Sequence, residues 1–148
     1  MLVRIQSRMH SQSDGAILIV DDDGASRRAL AKTLTKAGYR TRESDNGIDA
    51  LKLLHVEQPA LVLLDFEMPQ MDGAEVLKQL RSDRDPLVAQ IPAIMLTGHG
   101  GDESEVRGLQ AGADDFVTNS TQIIITMRMP SGINTRANVF IYFKWPFF

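Results

Sequence analysis

Short apolar runs that end directly in polar side chains constrain the fold of this chain more than any other feature. Residues 61–64 are Leu, Val, Leu and Leu before Asp65, and residues 16–20 are Ala, Ile, Leu, Ile and Val before Asp21. Two later apolar runs, residues 93–96 and 116–117, are followed by Thr97 and Thr118. Strands without polar alternation are typical of parallel sheets covered on both faces, in which ligand sites lie beyond the carboxyl ends of the strands. The pattern predicts a parallel sheet with reactive groups along one edge.

The segments between these runs repeat apolar residues with helical spacing. The first is expected over residues 25–37, where Leu30 and Leu34 lie one turn apart and Gly38 follows. Three further segments are marked by Ile48, Leu51 and Leu54, by Val76, Leu77 and Leu80, and by Val106 and Leu109. Because strands and helices alternate, right-handed crossovers over a single sheet are expected, in the order (βα)4β through about residue 118.

The chain resembles the receiver domain of two-component response regulators in four places that follow the family's order and spacing. They are residues 17–23, 63–73, 96–97 and 112–118. The resemblance implies a doubly wound, flavodoxin-like α/β fold whose parallel strands are ordered 2-1-3-4-5. It also implies a signalling domain rather than an enzyme. Such a domain accepts a phosphoryl group from a sensor histidine kinase or a phosphotransfer protein.

The resemblance assigns the phosphoacceptor and a metal site to individual residues. Asp65 matches the aspartate that is phosphorylated. Asp21 and Asp22 match the acidic pair that holds Mg²⁺, with Asp22 expected as the direct ligand and Asp21 acting through water. Glu67 matches the position whose backbone carbonyl completes the site. Carboxylates suit this role independently of the family, because Mg²⁺ prefers oxygen ligands and is typically held by one or two carboxylates plus phosphate oxygens.

Two other positions match residues of the family's switch. Thr97, after the fourth strand, is expected to donate its hydroxyl to a phosphoryl oxygen, and Phe116 matches the aromatic that moves inward in response. A simpler interpretation remains for each residue. Thr97 would then only end a strand, and Phe116 would only pack in the core.

One position departs from the family. After Thr118 the family has lysine and proline, whereas this chain has Asn119 and Ser120. The family's lysine pairs with the phosphoryl group, and a charge-assisted hydrogen bond of this kind contributes about 1.5 to 3 kcal/mol. Asn119 can donate a hydrogen bond but supplies no charge, so switching is expected to be weakened. The alternative function is therefore a receiver-fold interaction module that is impaired in phosphorylation.

A second alternative belongs to another class of protein. Phosphatases of the haloacid dehalogenase type also form an aspartyl phosphate with Mg²⁺. That class places its nucleophile on the first strand with a second acid two residues later. Here the candidate nucleophile, Asp65, follows the third predicted strand, which disfavours the phosphatase.

The composition changes near residue 119. All acidic residues precede Ser120, and no amphipathic fifth helix is visible after it. Residues 122–129 and 138–143 instead have β propensity and flank a turn-like Pro-Ser-Gly. We therefore divide the chain into a flexible leader (1–15), a receiver domain (16–119) and an atypical apolar tail (120–148). The tail is either a β-hairpin or sequence foreign to the domain.

Charge and composition exclude several other classes. The formal net charge is −3, which argues against a basic surface that binds nucleic acid. The chain has no cysteine, which excludes disulfides and thiol chemistry. No segment approaches the ~20 apolar residues that cross a bilayer. We expect a cytoplasmic protein without a membrane span or direct nucleic-acid contact. We also expect a homo-oligomer, because the absence of a fifth helix would leave apolar surface uncovered.

Overall fold

The computed structural model describes residues 2–7, 15–98, 102–118, 122–127 and 138–141. Strands and helices alternate through most of this part of the chain. In chain order the elements are β1 (Leu2–Ser7), β2 (Ile17–Val20), α1 (Gly24–Lys36), β3 (Thr41–Ser44), α2 (Gly47–Glu57), β4 (Leu61–Asp65), α3 (Gly73–Arg81), α4 (Pro86–Ala89), β5 (Ala93–Thr97), α5 (Asp102–Gln110), β6 (Asp115–Thr118), β7 (Gln122–Met127) and β8 (Asn138–Ile141).

Five strands form one parallel sheet in the order β3, β2, β4, β5, β6. Counted within this sheet alone, that order is 2-1-3-4-5, and the predicted fold is confirmed. Val20 pairs with both Ser44 and Leu64, so β2 and β3 end level with each other and β4 extends one residue further. The winding of the chain changes direction between β2 and β4, and ligands bind at such a switch point in open α/β sheets. The loops that follow β2 and β4 therefore form the expected site.

The two central strands are apolar throughout because helices cover both faces of the sheet. Alternate side chains of β2 and β4 enter two different core clusters. Leu18, Val20, Val62 and Leu64 pack with residues of α2 and α3. Ile17, Ile19, Leu61 and Leu63 pack with Leu30 and Leu34 of α1. All eight strand residues are at most 1% exposed, and burying a side chain of this size contributes about 1.5 to 3 kcal/mol.

Side-chain caps set where the helices begin. Asp23, Asn46 and Asp72 accept backbone N–H bonds at the starts of α1, α2 and α3. The helical spacing of apolar residues did not predict the short helix α4. The structure places Pro86 at the first position of α4, where its missing N–H costs nothing, with Asp85 as the cap.

A second, three-stranded sheet has the order β1, β7, β8. The leader was expected to be flexible over residues 1–15, whereas the structure describes Leu2–Ser7 as a strand parallel to β7. Strands β7 and β8 pair antiparallel, and the division of the chain into leader, domain and tail stays a prediction. Asn119 lies outside the described residues. Among the helices that are described, none has the length and apolar content needed to span a membrane.

Candidate functional site

Three carboxylates from two strand ends meet at the switch point. Asp21 and Asp22 follow β2, and Asp65 is the last residue of β4. One carboxylate oxygen from each residue lies within 4.8 Å of the others. The register explains the meeting, because Val20 pairs with Leu64 and the next residue of each strand is acidic. The sequence-predicted acidic residues are thus brought together, with a spacing that can hold a cation.

Burial disfavours the ionised forms of two of these carboxyls. Burial raises the pKa of Asp65 to about 8, and the nearby charge of Asp21 adds to the effect. Burial likewise raises the pKa of Asp21 to about 6, although a hydrogen bond from the Asp23 N–H acts in the opposite direction. Asp21 is 2% exposed and Asp65 is partly buried, whereas Asp22 is exposed. Because a bound cation favours ionised carboxylates, this cluster is electrostatically suited to a cation.

Asp23, which follows Asp22 directly, has a structural role that the sequence analysis did not predict. Asp23 caps α1 by accepting a hydrogen bond from the Ser26 N–H at 3.1 Å, and the Ser26 hydroxyl also donates to it. These bonds lower the pKa of Asp23. Its own N–H donates to Oδ1 of Asp21 at 2.8 Å. Asp23 therefore starts the helix and orients Asp21, and it is not a member of the carboxylate cluster.

The loop after Asp65 is held by backbone contacts that sequence reasoning missed. The Phe66 N–H donates to the Leu96 carbonyl at 2.8 Å, and the Gly73 N–H donates to the Phe66 carbonyl at 3.0 Å. A Cβ at Gly73 would collide with the Asp65 carbonyl oxygen and lie 2.9 Å from Cε of Met95. Only glycine lets α3 begin this close to the phosphoacceptor candidate. Its place in the sequence motif was the available signal.

Glu67 follows Asp65 by two residues, and its side chain is exposed. Its N–H approaches Oδ1 of Asp65 at 3.4 Å, a long hydrogen bond. The backbone of Glu67 thus lies at the carboxylate cluster while its side chain faces solvent. This placement suits a residue that acts through its backbone. Participation of its carbonyl in a metal site stays a prediction.

The two predicted switch residues lie on the neighbouring strands β5 and β6. Asp65 of β4 pairs with Leu96 of β5, so Thr97 lies one residue further along the sheet than Asp65. Thr97 is 4% exposed. Phe116 is 7% exposed and belongs to the core cluster that packs with α2 and α3. Gly108 of α5 leaves room for its ring, since a Cβ there would lie 3.2 Å from two ring carbons. Phe116 is therefore a core residue that contacts α5, and its switching role stays a prediction.

A surface cavity of about 610 Å³ opens beside the loop that follows Asp65. Arg107 of α5 lies over the Phe66 ring at 5.1 Å and pairs with Asp72 at 2.9 Å. It thus joins α5 to the residue after Asp65 and to the cap of α3. No sequence pattern predicted this contact, because Arg107 lies 35 residues after Asp72.

Comparison with known proteins gives a consistent result. A family model of the response regulator receiver domain matches residues 17–128, which reaches beyond the predicted boundary at residue 119. The transcriptional regulatory protein AfsQ1 of Streptomyces coelicolor is 39% identical over 107 residues, which are 72% of this chain and 45% of that protein. The phosphate regulon transcriptional regulatory protein PhoB of Pseudomonas aeruginosa is 40% identical, covering 69% of this chain and 44% of that protein. The chain therefore matches less than half the length of these relatives.

Solved structures agree with the sequence relatives. The signal receiver domain of a signal transduction histidine kinase from Syntrophus aciditrophicus superposes with a TM-score of 0.65 at 36% identity, covering 72% of this chain and 80% of that one. The chemotaxis protein CheY4 of Vibrio cholerae superposes with a TM-score of 0.66 at 27% identity, covering 72% of this chain and 88% of that one.

Proposed function

Because the chain belongs to the response regulator receiver domain family, we propose that Asp65 accepts a phosphoryl group from the phosphohistidine of a sensor kinase or phosphotransfer protein. The observation that carries this proposal is the meeting of Asp21, Asp22 and Asp65 at the switch point of the sheet. Receiver domains of response regulators are signalling domains, so the reaction modifies the protein itself. The biological role is phosphorelay signalling in a two-component system.

The donor set fits Mg²⁺. All three side chains offer carboxylate oxygens, and no nitrogen or sulfur ligand is among them. Mg²⁺ favours oxygen ligands and keeps several waters, which suits a site that combines the exposed Asp22 with the buried Asp21. When bound, the ion supplies the positive charge that offsets repulsion between an anionic donor and an anionic nucleophile.

The residues of this chain have separable roles in the transfer. A carboxylate oxygen of Asp65 attacks phosphorus, an O–P bond forms, and the P–N bond to the donor imidazole breaks. Burial raises the pKa of Asp65 to about 8, so without a nearby cation the carboxyl keeps its proton at neutral pH and is a poor nucleophile. Asp22 and Asp21 would hold a cation, whose positive charge would favour the ionised form of Asp65. The Glu67 N–H orients Oδ1 of Asp65.

The proposed switch involves residues on neighbouring strands. Thr97 lies at the end of β5, beside β4, and its hydroxyl is proposed to bind a phosphoryl oxygen. Phe116 lies on the next strand and packs against Gly108 of α5, so a shift of β5 would be transmitted to that helix. Asn119 replaces the family's lysine, which supports a weaker coupling between phosphorylation and this shift.

The remaining proposals concern the setting in which this domain acts. We propose a cytoplasmic location for this receiver domain. We also propose assembly into a homo-oligomer, because the expected fifth helix is missing from the sequence pattern. Relatives are named as transcriptional regulatory proteins, and this chain matches 45% and 44% of their length. The absence of direct nucleic-acid contact stays a prediction.

Incubation with acetyl phosphate and Mg²⁺, followed by mass spectrometry of the intact chain, tests the proposal. We expect a phosphoryl mass gain that is lost in Asp65→Asn. The matched control is Asp45→Asn, which alters an exposed aspartate of the same end of the sheet and should keep the adduct. An undiminished mass gain in Asp65→Asn would contradict the assignment. No adduct in the wild-type chain would favour the interaction module, and turnover of an added phosphoester would favour a phosphatase.

A further inference from the structure

The first turn of α1 carries Arg27, whose side chain contacts the loop that follows β2 and contains Asp21 and Asp22. The guanidinium of Arg27 donates from Nη1 to the Asp21 backbone carbonyl at 2.7 Å. Its Nε donates to Oε2 of Glu43 at 3.2 Å. The Arg27 side chain is 16% exposed, and that of Glu43 is 39% exposed. One planar guanidinium thus joins β3 to the loop that follows β2.

Both backbone polar groups of Asp21 are held from β3. Its N–H donates to the Ser44 carbonyl at 3.1 Å, and its carbonyl accepts from Arg27, which Glu43 holds. The Asp21 carbonyl belongs to the planar peptide that leads into Asp22. Fixing that oxygen therefore fixes the plane from which Asp22 departs. In the described part of the chain no side-chain hydrogen bond reaches Asp22, so the Cα–Cβ direction that its backbone sets decides which positions its carboxylate can reach.

We propose that Arg27, oriented by Glu43, is a positioning residue for the proposed Mg²⁺ site. It acts through the Asp21–Asp22 peptide and is not itself a ligand. The inference rests on the proposed function, since it assumes that Asp21, Asp22 and Asp65 hold the ion. Partners of metal ligands in the outer shell typically contribute about 10- to 100-fold in metal affinity.

Charge and positioning predict opposite effects, which makes the inference testable. Arg27 is a cation beside the site, so by charge alone its removal should strengthen Mg²⁺ binding. If Arg27 positions the Asp21–Asp22 peptide, its removal should weaken binding even though a like charge is lost. A guanidinium donates to two groups at once in a fixed fork, which an ammonium cannot reproduce. Arg27→Lys therefore keeps the charge but loses the arrangement.

Isothermal titration of the full chain with Mg²⁺ measures the effect. We expect Arg27→Gln to weaken Mg²⁺ binding about tenfold, at the lower end of the outer-shell range. Arg27→Lys should weaken it as well, and Glu43→Gln should weaken it while leaving Arg27 in place. The double variant Arg27→Gln with Glu43→Gln should bind no more weakly than Arg27→Gln alone, because both changes disrupt one arrangement.

Two control variants separate positioning from general charge. Arg28→Gln removes the same charge from the next residue of α1, which is exposed, and should bind Mg²⁺ as tightly as the wild type or slightly more tightly. Arg42 precedes Glu43 on β3 and pairs with Glu57 of α2. Arg42→Gln breaks that ion pair and should leave the Mg²⁺ affinity unchanged. Urea unfolding in EDTA identifies any variant whose lower affinity reflects a loss of folded protein.

The outcomes are distinct. Wild-type affinity in Arg27→Lys, or tighter binding in Arg27→Gln, would overturn the positioning role while the metal site itself stands. Additive losses in the double variant would also overturn it, because Arg27 and Glu43 would then act independently. Absence of saturable Mg²⁺ binding in the wild type, or unchanged binding in Asp22→Ala, would refute the proposed site and the inference with it.

Discussion

Replacing Asp65 with asparagine should stabilise the metal-free protein, and increasingly so as the pH rises. The pKa of this carboxyl is about 8 in the folded chain, against 3.8 for an ordinary aspartate. Between these values the folded state binds more protons than the unfolded state, so the free energy of unfolding falls with increasing pH. Asparagine cannot ionise, and it removes this contribution.

The magnitude follows from the difference in pKa. Each unit is worth about 1.4 kcal/mol, so the contribution of Asp65 is about 2 kcal/mol at pH 5 and about 4 kcal/mol at pH 7. These figures are upper values, because the repulsion between Asp65 and Asp21 is shared by both carboxyls. We therefore expect the stability gain of Asp65→Asn to grow by about 2 kcal/mol between pH 5 and pH 7.

Urea unfolding in EDTA, followed by circular dichroism at several pH values, measures this difference. Ionisations outside the carboxylate cluster affect both proteins equally, so the pH dependence of the difference reports Asp65 together with its repulsion by Asp21. Asp45→Asn, at an exposed position of the same end of the sheet, serves as the control. A stability difference that does not change with pH would refute the argument that burial and repulsion raise the pKa of Asp65. Saturating Mg²⁺ should stabilise the wild type more than Asp65→Asn, because the ion binds only the folded site.

Four further predictions concern the site and the fold. Asp22→Ala should reduce Mg²⁺ affinity more than Asp21→Ala in a calorimetric titration, since the exposed Asp22 is the proposed direct ligand; equal or reversed losses would show that the ligand is misassigned. Arg81→Met should lower the free energy of unfolding by about 2 to 4 kcal/mol, because the guanidinium binds the carbonyls of Ala89, Ile91 and Gly112 and the carboxylate of Asp114. A loss no larger than that of the exposed Arg84→Met would contradict this. Asn119→Lys should lengthen the lifetime of the phosphorylated state, measured by loss of the phosphoryl mass after desalting, and an unchanged lifetime would contradict this. Truncation after Ser120 should abolish oligomers seen by light scattering, and a monomeric full-length chain would contradict that prediction.

The architecture could be predicted from local sequence because it depends on patterns that neighbouring residues carry. Residues 17–20 and 61–64 are apolar at every position, and only a strand covered on both faces buries all of them. Helical spacing between the runs then leaves a parallel sheet with right-handed crossovers as the expected arrangement. Asp65 was identified in the same way, since it is the first polar residue after such a run.

Contacts between residues that are far apart in the sequence could be identified only from the tertiary structure. The sequence assigned Asp21 and Asp22 to the metal site, but it predicted neither the helix cap that Asp23 forms nor the burial of Asp21 beside the exposed Asp22. Arg27 reaches Glu43 across 16 residues, and β1 finds its partner in β7 near the other end of the chain. Hydrophobic periodicity acts within an element and is visible in the sequence. Burial, the pairing of charges and the raised pKa of Asp65 depend on which elements become neighbours, and only the folded chain decides that.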